Sequence, residues 1–171
     1  MRVNSIIKKL NLTPHPEGGY FKEIKRSNEN IPCESLPERY KGERSFYTTI
    51  YYMLVGKNKS HFHKVNSDET WYFHTGSSVT IHMLSETNGY SKVILGNNVL
   101  ENEHPQFTVP QGVWFGAELN DKNSFGLFSC NVAPGFEYAD FELGKREHLI
   151  KLFTDHEKII DELTIKEKNN D

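Results

Sequence analysis

The sequence predicts an all-β domain, antiparallel and either closed or sandwiched, with short helices at its two ends. Three observations carry this. About ten short runs are rich in aromatic and β-branched residues, turn residues separate them at close intervals, and the period becomes helical at the termini.

In chain order, Val3, Ile6, Ile7 and Leu10 recur at helical spacing and predict a short amphipathic helix on the outside of the domain. The segment TPHPEGGYFKEIKRS follows, in which prolines and glycines force a structured turn before a strand from about Gly19 to Lys25. Tyr20, Lys22 and Ile24 are expected on one face, with Phe21, Glu23 and Lys25 opposite. His15 and Glu17 are expected to cap the backbone of that turn rather than to bind a ligand. Residues 28–43, polar and punctuated by proline, read as a long surface loop, either a lid or a tether.

The run SFYTTIYYMLV is strongly β-forming and ends at Gly56. The hairpin Gly56 to Gly76 comes next, GKNKSHFHKVNSDETWYFHTG, and concentrates the chain's chemistry. By alternation His61 and His63 leave one face of the first strand. In the return strand Glu69, Trp71 and Phe73 share a face, and Thr70, Tyr72 and His74 share the other. If Glu69 points where the histidines point, the hairpin gathers two imidazoles and a carboxylate, a set suited to a metal or to acid–base chemistry. VTIHML then places Val79, Ile81 and Met83 opposite Thr80, His82 and Leu84, with His82 expected at the surface. YSKVIL, Gln106 to Val109, the PQGVWFGAEL segment, Ser124 to Val132 and Tyr138 to Leu143 supply the remaining strands. Leu149, Leu152, Phe153, Ile159, Ile160 and Leu163 form a helical stripe. Thr154 and Glu157 resemble a capping box that splits it into two helices meeting at Thr154–Asp155. Residues 1–163 therefore read as one domain and 164–171 as a frayed polar tail.

A chain of 171 residues buries roughly 70% of its unfolded surface and needs no covalent staples. Cys33 and Cys130 form no CxxC pattern, and Cys130 lies in an apolar strand expected in the core. The N-terminal residues do not make a signal peptide and no apolar run has transmembrane length, so a cytoplasmic location is expected. With net charge −3 and interspersed signs, the chain offers no basic face for a nucleic acid polymer or an anionic membrane.

The motifs PHPEGGYFKE, HFHKVNSDETWYFHTG, VPQGVWFGAEL and CNVAPGFEYADFELG, in that order, resemble the cupin-five family of the cupin superfamily. The resemblance runs from about His15 to Leu163 and implies a double-stranded β-helix, the jelly-roll barrel, often paired into homodimers, with a pocket inside its open end. In metal-binding cupins the second motif supplies a further histidine, where this chain has Phe115. His61, His63 and Glu69 remain as a candidate two-histidine, one-carboxylate site for a divalent metal.

His63 is the leading candidate for ligand or base, with His61 on the same face. A buried Glu69 needs His63, a metal, a ligand group or a salt bridge to Arg44. Trp71, Phe73, Trp114 and Phe115 are expected to line the barrel, those nearest the mouth stacking on a ligand. Tyr20, Tyr51 and Tyr138 are candidate proton donors opposite His63. His74 is expected outside the pocket, and Phe136 and Glu137 at its rim. The expected function is binding of a small sugar-like or nucleotide-like molecule, with epimerase or isomerase chemistry through His, Glu and Tyr. The alternatives are a metal-dependent oxygenase or isomerase using His61, His63 and Glu69, a non-catalytic sensor or carrier, and a dimerising scaffold.

Overall fold

The computed structural model describes residues 2–166. Helix α1 (Arg2–Leu10) opens the chain. The strands are β1 (Thr13–Pro14), β2 (Tyr20–Arg26), β3 (Asn30–Ile31), β4 (Arg44–Ser45), β5 (Thr48–Val55), β6 (Lys59–Val65) and β7 (Asp68–Gly76). They continue with β8 (Val79–Ser85), β9 (Gly89–Leu95), β10 (Gln106–Val109), β11 (Trp114–Leu119), β12 (Phe125–Ala133) and β13 (Phe141–Leu143). Helices α2 (Arg146–Leu152) and α3 (Glu157–Leu163) follow, separated by a 3-10 turn at Thr154–His156. The break falls where the sequence places it, but no side chain caps either flanking helix, so the capping box is not formed. The expected frayed tail lies mostly outside the described residues.

Six strands make one sheet in the order β1-β2-β5-β12-β7-β10, and five make a second in the order β13-β6-β11-β8-β9. All pairings within these sheets are antiparallel, the jelly-roll arrangement expected. The main core lies between the sheets. Tyr52, Leu54, Trp71 and Phe128 from the first meet Ile81, Phe115, Ala117 and Leu119 from the second. A second cluster covers the outer face of the five-stranded sheet, where Phe62, Leu84 and Trp114 pack under Leu149, Phe153, Ile160 and Leu163 of the C-terminal segment. Two sequence expectations change here: Trp114 and Phe115 are neighbours on β11 and face opposite ways, so only Phe115 enters the barrel, and His82 is not at the surface. Trp114 and His82 alternate away from the barrel interior, yet that outer face is roofed by helices. Trp114 is therefore core outside the barrel, and His82 is buried with its Nδ1 2.8 Å from the Tyr90 hydroxyl.

Two strands bulge. Phe115 pairs with His63 and Ala117 with Ser60, so β6 carries one residue more than β11 over that stretch. Glu23 pairs with Ile50 and Lys25 with Thr49, so β2 carries one more than β5. An extra residue flips the alternation that follows it.

The segment 28–43 is held against the fold. The buried Tyr40 hydroxyl donates to Asn66 O at 2.9 Å and lies 2.8 Å from Ser67 Oγ, while Arg39 Nε donates to Asn66 O at 2.8 Å. Beside it the buried Arg44 makes a bidentate pair with Asp140, Nε to Oδ2 at 2.6 Å and Nη2 to Oδ1 at 2.7 Å. Arg44 therefore pairs with Asp140 and not with Glu69.

Removing one partner of a buried pair strands the other charge. Asp140→Ala should lower unfolding stability by about 3–5 kcal/mol in urea titrations, and Arg44→Met with Asp140→Leu should recover most of that loss. A single-variant loss below ~1 kcal/mol would show that the pair does not anchor the loop.

Candidate functional site

A cavity of about 120 Å³ opens at one end of the barrel. A single water needs roughly 10–15 Å³ by this measure, so the space suits a molecule of on the order of ten heavy atoms. The register explains its walls. Arg26, Thr48, Val132 and Glu69 lie directly opposite one another across β2, β5, β12 and β7, and Glu23, Ile50, Cys130 and Trp71 form the next row. Arg26 reaches the cavity because the β2 bulge falls between it and Glu23; strict alternation would turn it outward. The opposite sheet contributes His63 and Val65 of β6 with Phe141 of β13. His15, Glu17, Phe136, Glu137 and Tyr138 close the remaining sides.

Glu17 is the polar centre. It comes from the turn before β2, which folds back across the barrel: His61 N–H donates to Glu17 O at 2.8 Å and the Tyr52 hydroxyl to Gly18 O at 2.7 Å. Gly18 has φ +112°, and a Cβ there would overlap the Lys59 carbonyl oxygen, so only glycine lets the turn lie this close. The Glu17 carboxylate accepts from Ser60 Oγ at 2.8 Å, and its Oε2 lies 3.1 Å from His63 Nε2 and 3.4 Å from His15 Nδ1. Ser60 and His63 reach the same carboxylate because the β6 bulge places both inward.

Hydrogen-bond partners assign the imidazole protons. His63 Nδ1 lies 2.7 Å from the His61 carbonyl oxygen, which can only accept, so Nδ1 carries hydrogen. Nε2 facing a carboxylate oxygen then requires a further proton between them, since two lone pairs would repel. His63 and Glu17 thus share one proton as a buried ion pair. His15 Nδ1 accepts the Glu17 backbone N–H at 3.3 Å, and burial holds this imidazole below its ordinary value, keeping it neutral.

Glu69 is the counterpart. It is 7% exposed, and among the described residues no cationic side chain pairs with it. Burial first, and the Glu17 charge second, push its carboxyl up to about 8. The Cys130 thiol beside it is pushed up by burial and by Glu69. The fully buried Trp71 indole N–H interacts with Glu69 without closing a hydrogen bond of normal geometry. The cavity therefore holds two carboxyls in different settings, Glu17 paired with His63 and Glu69 pushed toward its protonated form.

The sequence-derived candidates separate clearly. His63, Glu69 and Tyr138 line the cavity, together with Phe136 and Glu137. His61 does not join them: after the bulge its Nδ1 donates to Glu17 O at 2.6 Å, on the turn's backbone. Tyr20 is not in the lining, and Tyr51 lies on the outer face against His74, their ring centroids 6.2 Å apart. Trp71, Phe73 and Phe115 pack in the core below the cavity, with the Phe115 ring 4.1 Å from that of His63. Cys130 is buried as expected but also faces the cavity. The residues that single-strand alternation missed are Glu17, His15, Tyr52 and Arg26. The PHPEGGYF turn was the one available signal for the first two.

A resident metal does not fit. Among the described residues no three His, Cys, Asp or Glu side chains are arranged to hold one, and His61 of the expected set points elsewhere. Phe115 packs on the imidazole where a further ligand would be needed.

The comparisons with known proteins agree with this architecture. A solved structure of protein SO0799 from Shewanella oneidensis is 35% identical, with TM-score 0.86, covering 96% of this chain and 98% of that one. A hypothetical protein from Leishmania major is 34% identical, with TM-score 0.85, over 95% of this chain and 98% of the other. Uncharacterized protein YML079W of Saccharomyces cerevisiae is 27% identical over 91% of this chain and 82% of its own length. Oxalate decarboxylase from Bacillus subtilis, at 16% identity and TM-score 0.54 over 91% of this chain and 37% of its own, shares the fold alone. The family model described as Cupin superfamily (DUF985) matches residues 4–144, and the chain belongs to that cupin-five family.

Proposed function

We propose that the cavity performs acid–base proton transfer on a small polar molecule, in an isomerase or epimerase type of reaction. One observation carries this reading: two carboxyls face one small cavity in different settings, Glu17 paired with His63 Nε2 at 3.1 Å and Glu69 buried without a cationic partner among the described residues. A carboxylate held by an imidazole and a carboxyl that burial keeps protonated are suited to act as base and acid. Glu17 takes the substrate proton through Oε2 while the His63 imidazolium, anchored on the His61 carbonyl, holds that oxygen in place. Glu69 delivers its proton from the β7 wall. The two carboxyls finish with protonation exchanged, and exchange with water restores them. These roles differ from a histidine base with a tyrosine acid, because both nitrogens of His63 are already occupied.

A metabolite extract incubated with the protein in D₂O should contain a compound that gains solvent deuterium at carbon, read by mass spectrometry. Glu17→Gln and Glu69→Gln should each reduce the labelling rate by about 10²-fold or more while remaining folded. Labelling that persists undiminished in both variants would remove these residues from the reaction.

The protonation of Glu69 has a second consequence. Its folded value near 8 lies above the ordinary 4.5, so the folded state keeps a proton that the unfolded chain releases between those pH values. Stability from this group is complete below the ordinary value and declines as pH rises through the folded one. Glu69→Gln should therefore gain on the parent protein with rising pH, by about 3 kcal/mol at neutrality and almost nothing near the ordinary carboxyl value. A pH-independent difference in urea titrations would show that Glu69 is ionised throughout.

A further inference from the structure

The lining of this same cavity also bears on what it takes. Four carboxyl side chains face it, Glu17, Glu23, Glu69 and Glu137, and Arg26 is its one lysine or arginine. Four of the five Arg26 N–H donors are already engaged, and two carboxylates offset its charge. Its Nη1 donates to Glu137 Oε1 at 2.6 Å, its Nη2 to Glu23 Oε2 at 3.0 Å and to the Phe136 carbonyl oxygen at 3.1 Å, and its Nε to Glu23 Oε1 at 3.4 Å. An anionic substrate would meet four carboxyl side chains and a guanidinium already paired with two of them.

A cation would meet something different. Phe21, Phe136, Tyr138 and Phe141 all line the cavity together with Glu137. Tyr138 stands edge-on to Phe136 at 5.1 Å and stacks on His15 at 6.3 Å, and at 55% exposure it forms the outer lip. Aromatic faces with carboxylates behind them attract an ammonium group and offer nothing to a carboxylate or phosphate. Deeper in, Glu69 has no cationic partner among the described residues.

We propose that the cavity's substrate is an organic amine bound as its ammonium, held by the Tyr138, Phe136 and Phe141 rings and the surrounding carboxyls, with its apolar body against Ile50, Val65 and Val132. This deepens the acid–base reading of the same site but stands on the charge inventory rather than on the reaction. It disfavours phosphorylated, nucleotide-like and carboxylate substrates. Seating a cation in the cavity also favours ionisation of Glu69, so binding near neutral pH releases a proton.

The test uses three probes of one shape and different charge: benzylamine, benzyl alcohol and benzoate, titrated calorimetrically into the full-length protein at neutral pH. Benzylamine should bind at least tenfold more tightly than benzyl alcohol, and benzoate more weakly than either. Tyr138→Leu should weaken amine binding severalfold more than alcohol binding and so shrink the amine-to-alcohol ratio. Repeating the amine titration in two buffers of different ionisation enthalpy should show proton release, lost in Glu69→Gln. Equal binding of amine and alcohol, preference for benzoate, or no binding of any probe would overturn the proposal. Amine selectivity without deuterium exchange would leave the substrate class standing and remove the reaction. Exchange with preference for benzoate would do the reverse.

Discussion

The site depends on one irregularity, the extra residue in β6. It places Ser60 and His63 on the same side of the strand, where both reach the Glu17 carboxylate. It also frees the His61 N–H and ring to hold the turn that carries Glu17. A regular strand would aim His61 inward beside His63 and leave Ser60 outside, dissolving the anchor for Glu17. The bulge, the glycine turn and the buried carboxylate are thus one device. A bulge beside a site is a recurring way to re-aim a side chain, and β2 uses the same means to bring Arg26 to the mouth.

From Glu17 the electrostatics of the cavity follow. A carboxylate held by a hydroxyl and an imidazolium can stay ionised inside a protein, because hydrogen bonds replace its hydration. Its field then adds to the burial of Glu69 and keeps that second carboxyl neutral. Phe115 reinforces the asymmetry by filling the space beside His63 with an apolar ring. The chain retains the barrel of its superfamily, but among the described residues its hairpin does not assemble a three-ligand metal centre.

The sequence disclosed what regular alternation controls. On β7, Glu69, Trp71 and Phe73 share the inner face, and the run of short strands and the terminal helices were legible from period and turn residues. What it concealed was whatever breaks alternation or joins distant segments. No feature of HFH in isolation shows that β6 gains a residue opposite Phe115, so His61 was paired with His63 although the fold sends it to a backbone carbonyl. Glu17 meets His63 across 46 positions of chain, a contact visible only once the turn is laid over the barrel. Trp114 and Phe115 alternate on β11, so only one can enter the barrel, and for His82 alternation identifies an outer face without revealing that helices cover it.

The most direct test of the central claim, a cavity with one ionised and one protonated carboxyl, is a carboxyl titration by carbon NMR on protein labelled at the glutamate side chains. One resonance should titrate near pH 8 and vanish from the spectrum of Glu69→Gln. If every glutamate carboxyl instead titrates in the ordinary range near 4.5, Glu69 is an ionised group at neutral pH and the proposed acid is absent.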